Sequence, residues 1–428
     1  MKYLLSALLL PLLAFADQRE AAPTVDAALA QAQRQHVPLF VDFQAQWCYS
    51  CYYMATHVLN GPQWQALSKR MHAIEVDADS PDGAAWMKKL GVKALPSYVV
   101  LKGDGGELGR ITAEQPRAKF YPALEQILAG GDALDTLKTK GSMAAIAQVL
   151  TIYEARNDID GGLSWYATLS DQQHKAAAAD RQVEFRLARL QMEKAAKQKD
   201  TAGCVAGAQR ALLGDGGCDR VYVLEQMVEC TEKQSADARR SVLGPQQTAL
   251  DALREKQFFA DPPQCADQRT AVLVSADLAK AIGDVSGEKT VLDGAIADAR
   301  SRLGDDYAKD RNLADNLRVY LTRAERTAEL DALYPQLMAA YPGDYVYAYR
   351  YGGSLLKRGK PAEALPYLEQ AAQKTFGANR LAVATLRVQA LLALHRRADA
   401  EQVAADALEA NGPWFPEAAL KLKAALKG

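Results

Sequence analysis

The stretch "QAQWCYSCYYMA", residues 44 to 55, sets Cys48 and Cys51 two residues apart, directly after Trp47. A pair at this spacing is a redox centre, half of a metal site, or a structural disulfide, and the flanking sequence weighs the three. Before it runs "PLFVDFQA", a short apolar run rich in Val and Phe that reads as a buried strand. After it, "YYMATHVLN" reads as a helix. Cys48 therefore falls at a helix start, where free backbone N–H groups and the helix dipole favour a thiolate. Cys51 follows one turn in and is placed to resolve a mixed disulfide. A metal site would call for a second ligand pair at comparable spacing. The next cysteine is Cys204, and His36, His57 and His72 show no paired spacing. A purely structural bridge over so short a loop gains little loop entropy. The pattern predicts a redox-active dithiol with Cys48 as nucleophile, no metal, and no cofactor beyond the Cys48–Cys51 disulfide.

Outward from this pair, residues 24–130 alternate helical and strand signals. "TVDAALAQAQRQ" has helical spacing, "HAIEVDAD" reads as a second strand, and "PDGAAWMKKLGV" as a helix with Pro at its start and Gly at its end. "PSYVVLKGDGGELGRITA" reads as a hairpin around Gly-Asp-Gly-Gly, and "PRAKFYPALEQILAG" as a closing helix. This order predicts an α/β domain with a mixed sheet. Asp42 sits between Val41 and Phe43. It is either a surface strand residue or a buried acid, and its apolar neighbours favour burial, where an acid has a role or a partner. Trp47 and Tyr49 flank Cys48 and are expected to be exposed, framing a substrate groove. Of Tyr52 and Tyr53, at least one is expected in the core.

At this point the segment resembles the thioredoxin family. "LFVDFQAQWCYSC" matches that family's strand–Trp–Cys–x–x–Cys signature, and "GVKALPSYVVL" matches the segment that leads into a later strand. Asp42 falls on the family's buried acid behind the disulfide. The resemblance covers residues 24–130 and implies that Asp42 assists proton transfer at Cys51. It also implies a cis Leu95–Pro96 peptide facing the cysteines, so the implied catalytic set is Cys48, Cys51, Asp42, Pro96 and Trp47. The chain departs from the family in two places. Tyr49-Ser50 stands where Gly-Pro is common, and Ala73 stands where a lysine often partners the buried acid. In strongly oxidising relatives a His in the dipeptide stabilises the thiolate; its absence here points to a more reducing pair. The dipeptide and Leu95 look closer to exported reductase domains such as the carboxy-terminal domain of the DsbD family.

The chain has 428 residues, more than one small core, so at least two domains are expected. A net charge of −1 gives no reason to propose nucleic acid or an anionic membrane as a partner. Residues 1–16 read as a signal peptide: Lys2, an apolar run from Tyr3 to Phe15, and the small-x-small site Ala14-Phe15-Ala16. The alternative is a membrane anchor, but the run falls short of the ~20 residues a span needs. Cleavage near Ala16 would release an exported protein, expected in a bacterial periplasm. After Gly131 the strand signals largely stop. Residues 132–310 look helical with a poorly kept period, either irregular repeats or an irregular bundle. Residues 311–428 resemble tetratricopeptide repeats, with Gly352, Leu355, Gly359, Ala364, Leu368 and Ala371 in register and a second copy marked by Leu391, Ala400, Ala404 and Ala407. The fold class is thus a thioredoxin-like α/β domain followed by an all-α, repeat-type region.

Cys204, Cys218, Cys230 and Cys265 fit no common zinc spacing. In an exported chain they suggest two disulfides, with free buried thiols as the alternative. If the helices holding Cys204 and Cys230 run antiparallel about the "GDGG" turn, a rise of ~1.5 Å per residue brings these two to similar heights. The expected pairs are Cys204–Cys230 and Cys218–Cys265. Together these features predict an exported thiol–disulfide oxidoreductase working as a reductase on proteins with disulfides or cysteines. A thiol–disulfide redox partner regenerates the dithiol, with a membrane electron donor as one candidate, and the helical arm recruits protein. The alternative is a non-catalytic scaffold or chaperone-like module whose repeats do the work. An intact cysteine pair argues against it.

Overall fold

The strand before the cysteines organises the sheet. In the computed structural model, which describes residues 24–130 and 134–427, this strand is β1, Leu39–Gln44. It lies between β2, His72–Asp77, to which it runs parallel, and β3, Ser97–Leu101, to which it runs antiparallel. β4, Glu107–Thr112, pairs antiparallel with β3, so the order is β2-β1-β3-β4. Strand parity divides β1 between two faces. Leu39, Val41 and Phe43 pack with Val25, Ala28 and Trp86, from the helices α1, Val25–Gln35, and α4, Pro81–Leu90. Phe40 turns to the opposite face and packs with Tyr98, Met54, Phe120 and Leu124. Asp42 shares the parity of Phe40, so it points towards the layer that carries the cysteines.

Local chemistry sets the helix limits. Thr24 and Ser80 cap α1 and α4 by accepting the N–H of Ala27 and Gly83. Pro81 opens α4, and Gly91, at φ 64°, closes it. The helix expected after Cys51 is shorter than its pattern suggests. α2 covers Tyr49–Tyr53 and then widens into one π turn over Met54–Val58. A further helix, α3, Gly61–Ser68, was not expected from the sequence, because its few apolar positions carry little amphipathic signal. The last helix of this region is α5, Arg117–Leu128. The N-terminal segment read as a signal peptide lies outside the described residues.

From Leu134 onward the described residues form helices, many in adjacent pairs. Arg181–Lys197 packs on Thr201–Leu213, Gln268–Ile282 on Val285–Leu303, Val346–Lys357 on Pro361–Ala372, and Gly377–Ala393 on Arg397–Asn411. Cys204 is bonded to Cys230 and Cys218 to Cys265. Among the described residues no helix is long and apolar enough to cross a membrane.

The helical region folds back onto the α/β region through one polar centre. Asp315, on the Arg311–Arg323 helix, is completely buried and accepts hydrogen bonds from Arg269 Nη2 at 2.6 Å, Arg318 Nε at 2.8 Å and Arg350 Nη1 at 2.6 Å. Those guanidinium groups outweigh the cost of its burial and hold the carboxyl well below the usual aspartate range. A second tie is steric. Gly377, at φ 55°, brings its backbone against Asp79, whose carbonyl accepts the N–H of Ala378 at 3.1 Å; a Cβ on Gly377 would stand 1.9 Å from that oxygen.

Removing the carboxylate strands the buried Arg269 and the partly buried Arg318 and Arg350, so Asp315→Ala is expected to cost about 3–5 kcal/mol by urea unfolding. Because the folded carboxyl titrates below the unfolded one, its contribution holds above about pH 4 and is lost as the pH falls further. The gap between wild type and variant should therefore close under acid; a gap that does not change with pH would contradict this account.

Candidate redox site

Cys48 ends the loop after β1 and caps α2. Its Sγ accepts the N–H of Cys51 at 3.1 Å, and the two cysteines are joined as a disulfide. Both are nearly closed off, at 4% and 6% exposure, and pack against Ala45, Ala78 and Leu95. The Leu95–Pro96 peptide is cis. Asp42 is buried, and its Oδ1 finds no hydrogen-bond partner. Burial pushes its carboxyl up to about 8, and the Glu75 carboxylate, in register with it on β2, adds to the rise. Ala73, which stands where the family often has a lysine, is in register with Phe40 on β1. Among the described residues no group of three His, Cys, Asp or Glu side chains is placed to hold a metal ion.

The aromatic frame differs in part from expectation. Trp47 is exposed, at 41%, and its indole N–H donates to Asp79 Oδ2 at 2.7 Å. Tyr49, expected to be exposed, is half-buried because the helical region covers it. The Arg269 guanidinium lies 3.6 Å from its ring centre, and Asn312 Nδ2 donates to its carbonyl at 2.9 Å. Tyr52 is buried, though not in the core of the sheet: its ring lies 4.0 Å from the Arg311 guanidinium and its hydroxyl donates to the Gln46 carbonyl. Tyr53 does contribute to the sheet-side core.

Residues far along the chain complete the site. Arg350 Nη2 donates to the Trp47 carbonyl at 3.1 Å, Asn379 Nδ2 donates to Asp79 Oδ2 at 2.9 Å, and His57 pairs with Asp310 at 2.8 Å. Beside Ser50 and Leu95 the two regions leave a cleft of about 760 Å³. Tyr49, Leu95 and Glu114 line one wall, and Arg189, Tyr222 and Thr270 the other. Glu114 and the arginines were not singled out from the sequence. They carry no motif, and their distance along the chain from Cys48 hides their proximity.

A mixed sheet that presents Cys-x-x-Cys at the head of a helix, over a buried acid and beside a cis-proline loop, defines a thioredoxin-type dithiol domain. The thioredoxin-like family profile matches residues 20–103. The thiol:disulfide interchange protein DsbD of Neisseria meningitidis is 34% identical over 114 residues, which are 26% of this chain and 19% of that protein. A thioredoxin H-type of Chlamydomonas reinhardtii is 33% identical over 102 residues, 23% of this chain and 83% of that one. A solved thioredoxin from Thermus thermophilus shares 31% identity, covers 26% of this chain and 89% of its own, and superposes with a TM-score of 0.25. The chain belongs to the thioredoxin family through this first region, and it spans about a fifth of the length of the DsbD relative.

The raised acid gives a pH signature. A carboxyl that titrates near 8 when folded and near about 4 when unfolded costs nothing below the unfolded value, and it erodes stability as the pH climbs between the two. Asp42→Asn removes that loss. Its advantage over wild type in denaturant midpoint should grow from pH 4 to pH 8, and a constant difference would show that the carboxyl is not held up.

Proposed function

We propose that this protein is an exported thiol–disulfide oxidoreductase acting on protein disulfides, with reduction as its net direction. The Cys48 thiolate attacks one sulfur of a substrate disulfide, forms a mixed disulfide, and releases a substrate thiolate. The Cys51 thiolate then attacks Cys48 Sγ, frees the second substrate sulfur, and leaves the Cys48–Cys51 disulfide. Asp42 takes the proton from Cys51. An acid titrating near 8 is matched to a thiol whose ordinary value is about 8.5, which suits transfer between them. Trp47 and Pro96 shape the approach to Cys48.

The observation that carries this reading is the cap itself. Cys48 Sγ already accepts the helix-start N–H of Cys51, so the same donor supports a thiolate once the disulfide opens. The relatives named thiol:disulfide interchange protein support exchange chemistry at this pair, and the absence of His between the cysteines favours its reducing direction. In this reading residues 1–16 direct export to a bacterial periplasm and residues 24–130 hold the chemistry. Residues 132–310 form the irregular helical part, and 311–428 a tetratricopeptide-type arm for protein partners. Reducing equivalents come from a separate thiol–disulfide donor.

The test is the reduction potential of Cys48/Cys51, by equilibration with glutathione and thiol trapping. Thioredoxin-like reductases sit at about −270 mV and strong oxidants at about −120 mV. A value at the reducing end is expected. One at the oxidising end would reverse the proposed direction, and a Cys48→Ser variant that kept full disulfide chemistry would end the enzyme reading altogether.

A further inference from the structure

Three buried acids lie about the Cys48–Cys51 turn; the steps above use Asp42, and Asp79 is taken up by Trp47 and Asn379. The third is Glu114, in the loop between β4 and α5, next to Ala113, whose φ is 63°. Glu114 is 6% exposed and lines the cleft beside Tyr49, Ser50 and Leu95. It shares a hydrogen bond with Ser50, one of the two residues between the cysteines, yet its Oε2 has no partner. A buried oxygen left without a partner is costly. Such a group calls for an explanation, and use by a ligand or a reaction is one. Burial, then the Asp267 carboxylate, hold this carboxyl well above its ordinary range; Ser50 and Arg269 oppose the shift and Asp310 adds to it. Burial thus favours the protonated form of Glu114, the form that can donate.

The cleft is where a substrate strand has room. Arg350 and Asn379 occupy the flank at Trp47 and Asp79, and Leu95 packs on the two sulfurs at the other side of the turn. We propose that Glu114 is the general acid that protonates the substrate thiolate expelled when Cys48 attacks a disulfide lying in this cleft. The proposal rests on the oxidoreductase reading above. In the step, the Cys48 thiolate forms a bond to one substrate sulfur, the substrate S–S bond breaks, and its electron pair leaves on the second sulfur. That sulfur takes the Glu114 proton and departs as a neutral thiol. Glu114 is left as a carboxylate and is reprotonated from solvent through the cleft. Electrons pass only between sulfurs, so no further oxidant or reductant enters. The assignment separates two proton tasks, with Asp42 serving the protein's own Cys51 and Glu114 serving the substrate.

The test uses the full-length protein with Cys48–Cys51 reduced, and two probe disulfides in single-turnover reactions at neutral pH. Hydroxyethyl disulfide releases an alkyl thiolate that must gain a proton; 5,5′-dithiobis(2-nitrobenzoate) releases an aromatic thiolate that is stable without one. Glu114→Gln should slow the alkyl reaction by about 10²-fold, the scale of general acid catalysis, and leave the aromatic reaction nearly unchanged. Glu114→Asp, which keeps a carboxyl, should recover part of the alkyl rate, and it carries the same comparison if the Gln variant folds poorly. Equal losses on both probes, or no loss on either, would overturn the role. If Cys48→Ser retained both reactions, the oxidoreductase reading would fail by itself, whatever Glu114 did.

Discussion

The carboxylate of Asp315 holds this architecture together. It is fully buried, and three guanidinium groups converge on it from three different helices. Two of those arginines also face the cysteine turn: Arg269 lies over Tyr49, and Arg350 reaches the Trp47 carbonyl. Beside them, Asn316 accepts from Arg269 Nε at 2.7 Å and donates to Asn312, whose amide holds the Tyr49 carbonyl. A buried charge is costly unless its lone pairs are met, and here meeting them fixes where the helical region sits. The geometry around Cys48 is therefore a property of the whole chain as well as of its first hundred residues.

This arrangement changes what the dithiol domain offers to a partner. Where the site is uncovered, a folded protein can lay a flat surface over the cysteines. Here Tyr49 and Tyr52 are covered by arginines, and both sulfurs are nearly out of contact with solvent. Room is left mainly in the cleft beside Ser50 and Leu95, which suits an extended segment better than a globular face. In the proposed reading the helical region then contributes to selection at the reacting bond, in addition to any recruitment by its outer surface.

Much of this was legible in the sequence where the physics is local. The apolar run around Asp42 marked a buried strand, and the acid's apolar neighbours favoured its burial. Cys48 at a strand-to-helix junction marked the head of α2, and Pro81 and Gly91 marked the limits of α4. The pairing of Cys204 with Cys230 was within reach because both flank a single turn. What escaped depends on contacts between distant segments. No spacing rule links Arg269, Asn312 or Asn379 to residues 47–79, so the covering of Tyr49 was unreadable and its exposure was misjudged. α3 escaped because its composition hides its periodicity, and the widening at Met54–Val58 because helical pattern alone does not register an extra residue per turn. Glu114 escaped because an acid in a loop is ordinary until its burial is known.

The contact between Gly377 and Asp79 joins residues almost three hundred positions apart. Synthesis proceeds from the amino terminus, and early domains collapse before later ones exist. Cys48 and Cys51 thus emerge, and are able to react, long before Arg350 and Asn379 arrive to flank them. For that interval the pair is an open thioredoxin-type site within reach of any passing thiol. Docking of the last helices ends the interval, so the mature selectivity of the site is acquired late, as the final act of assembly.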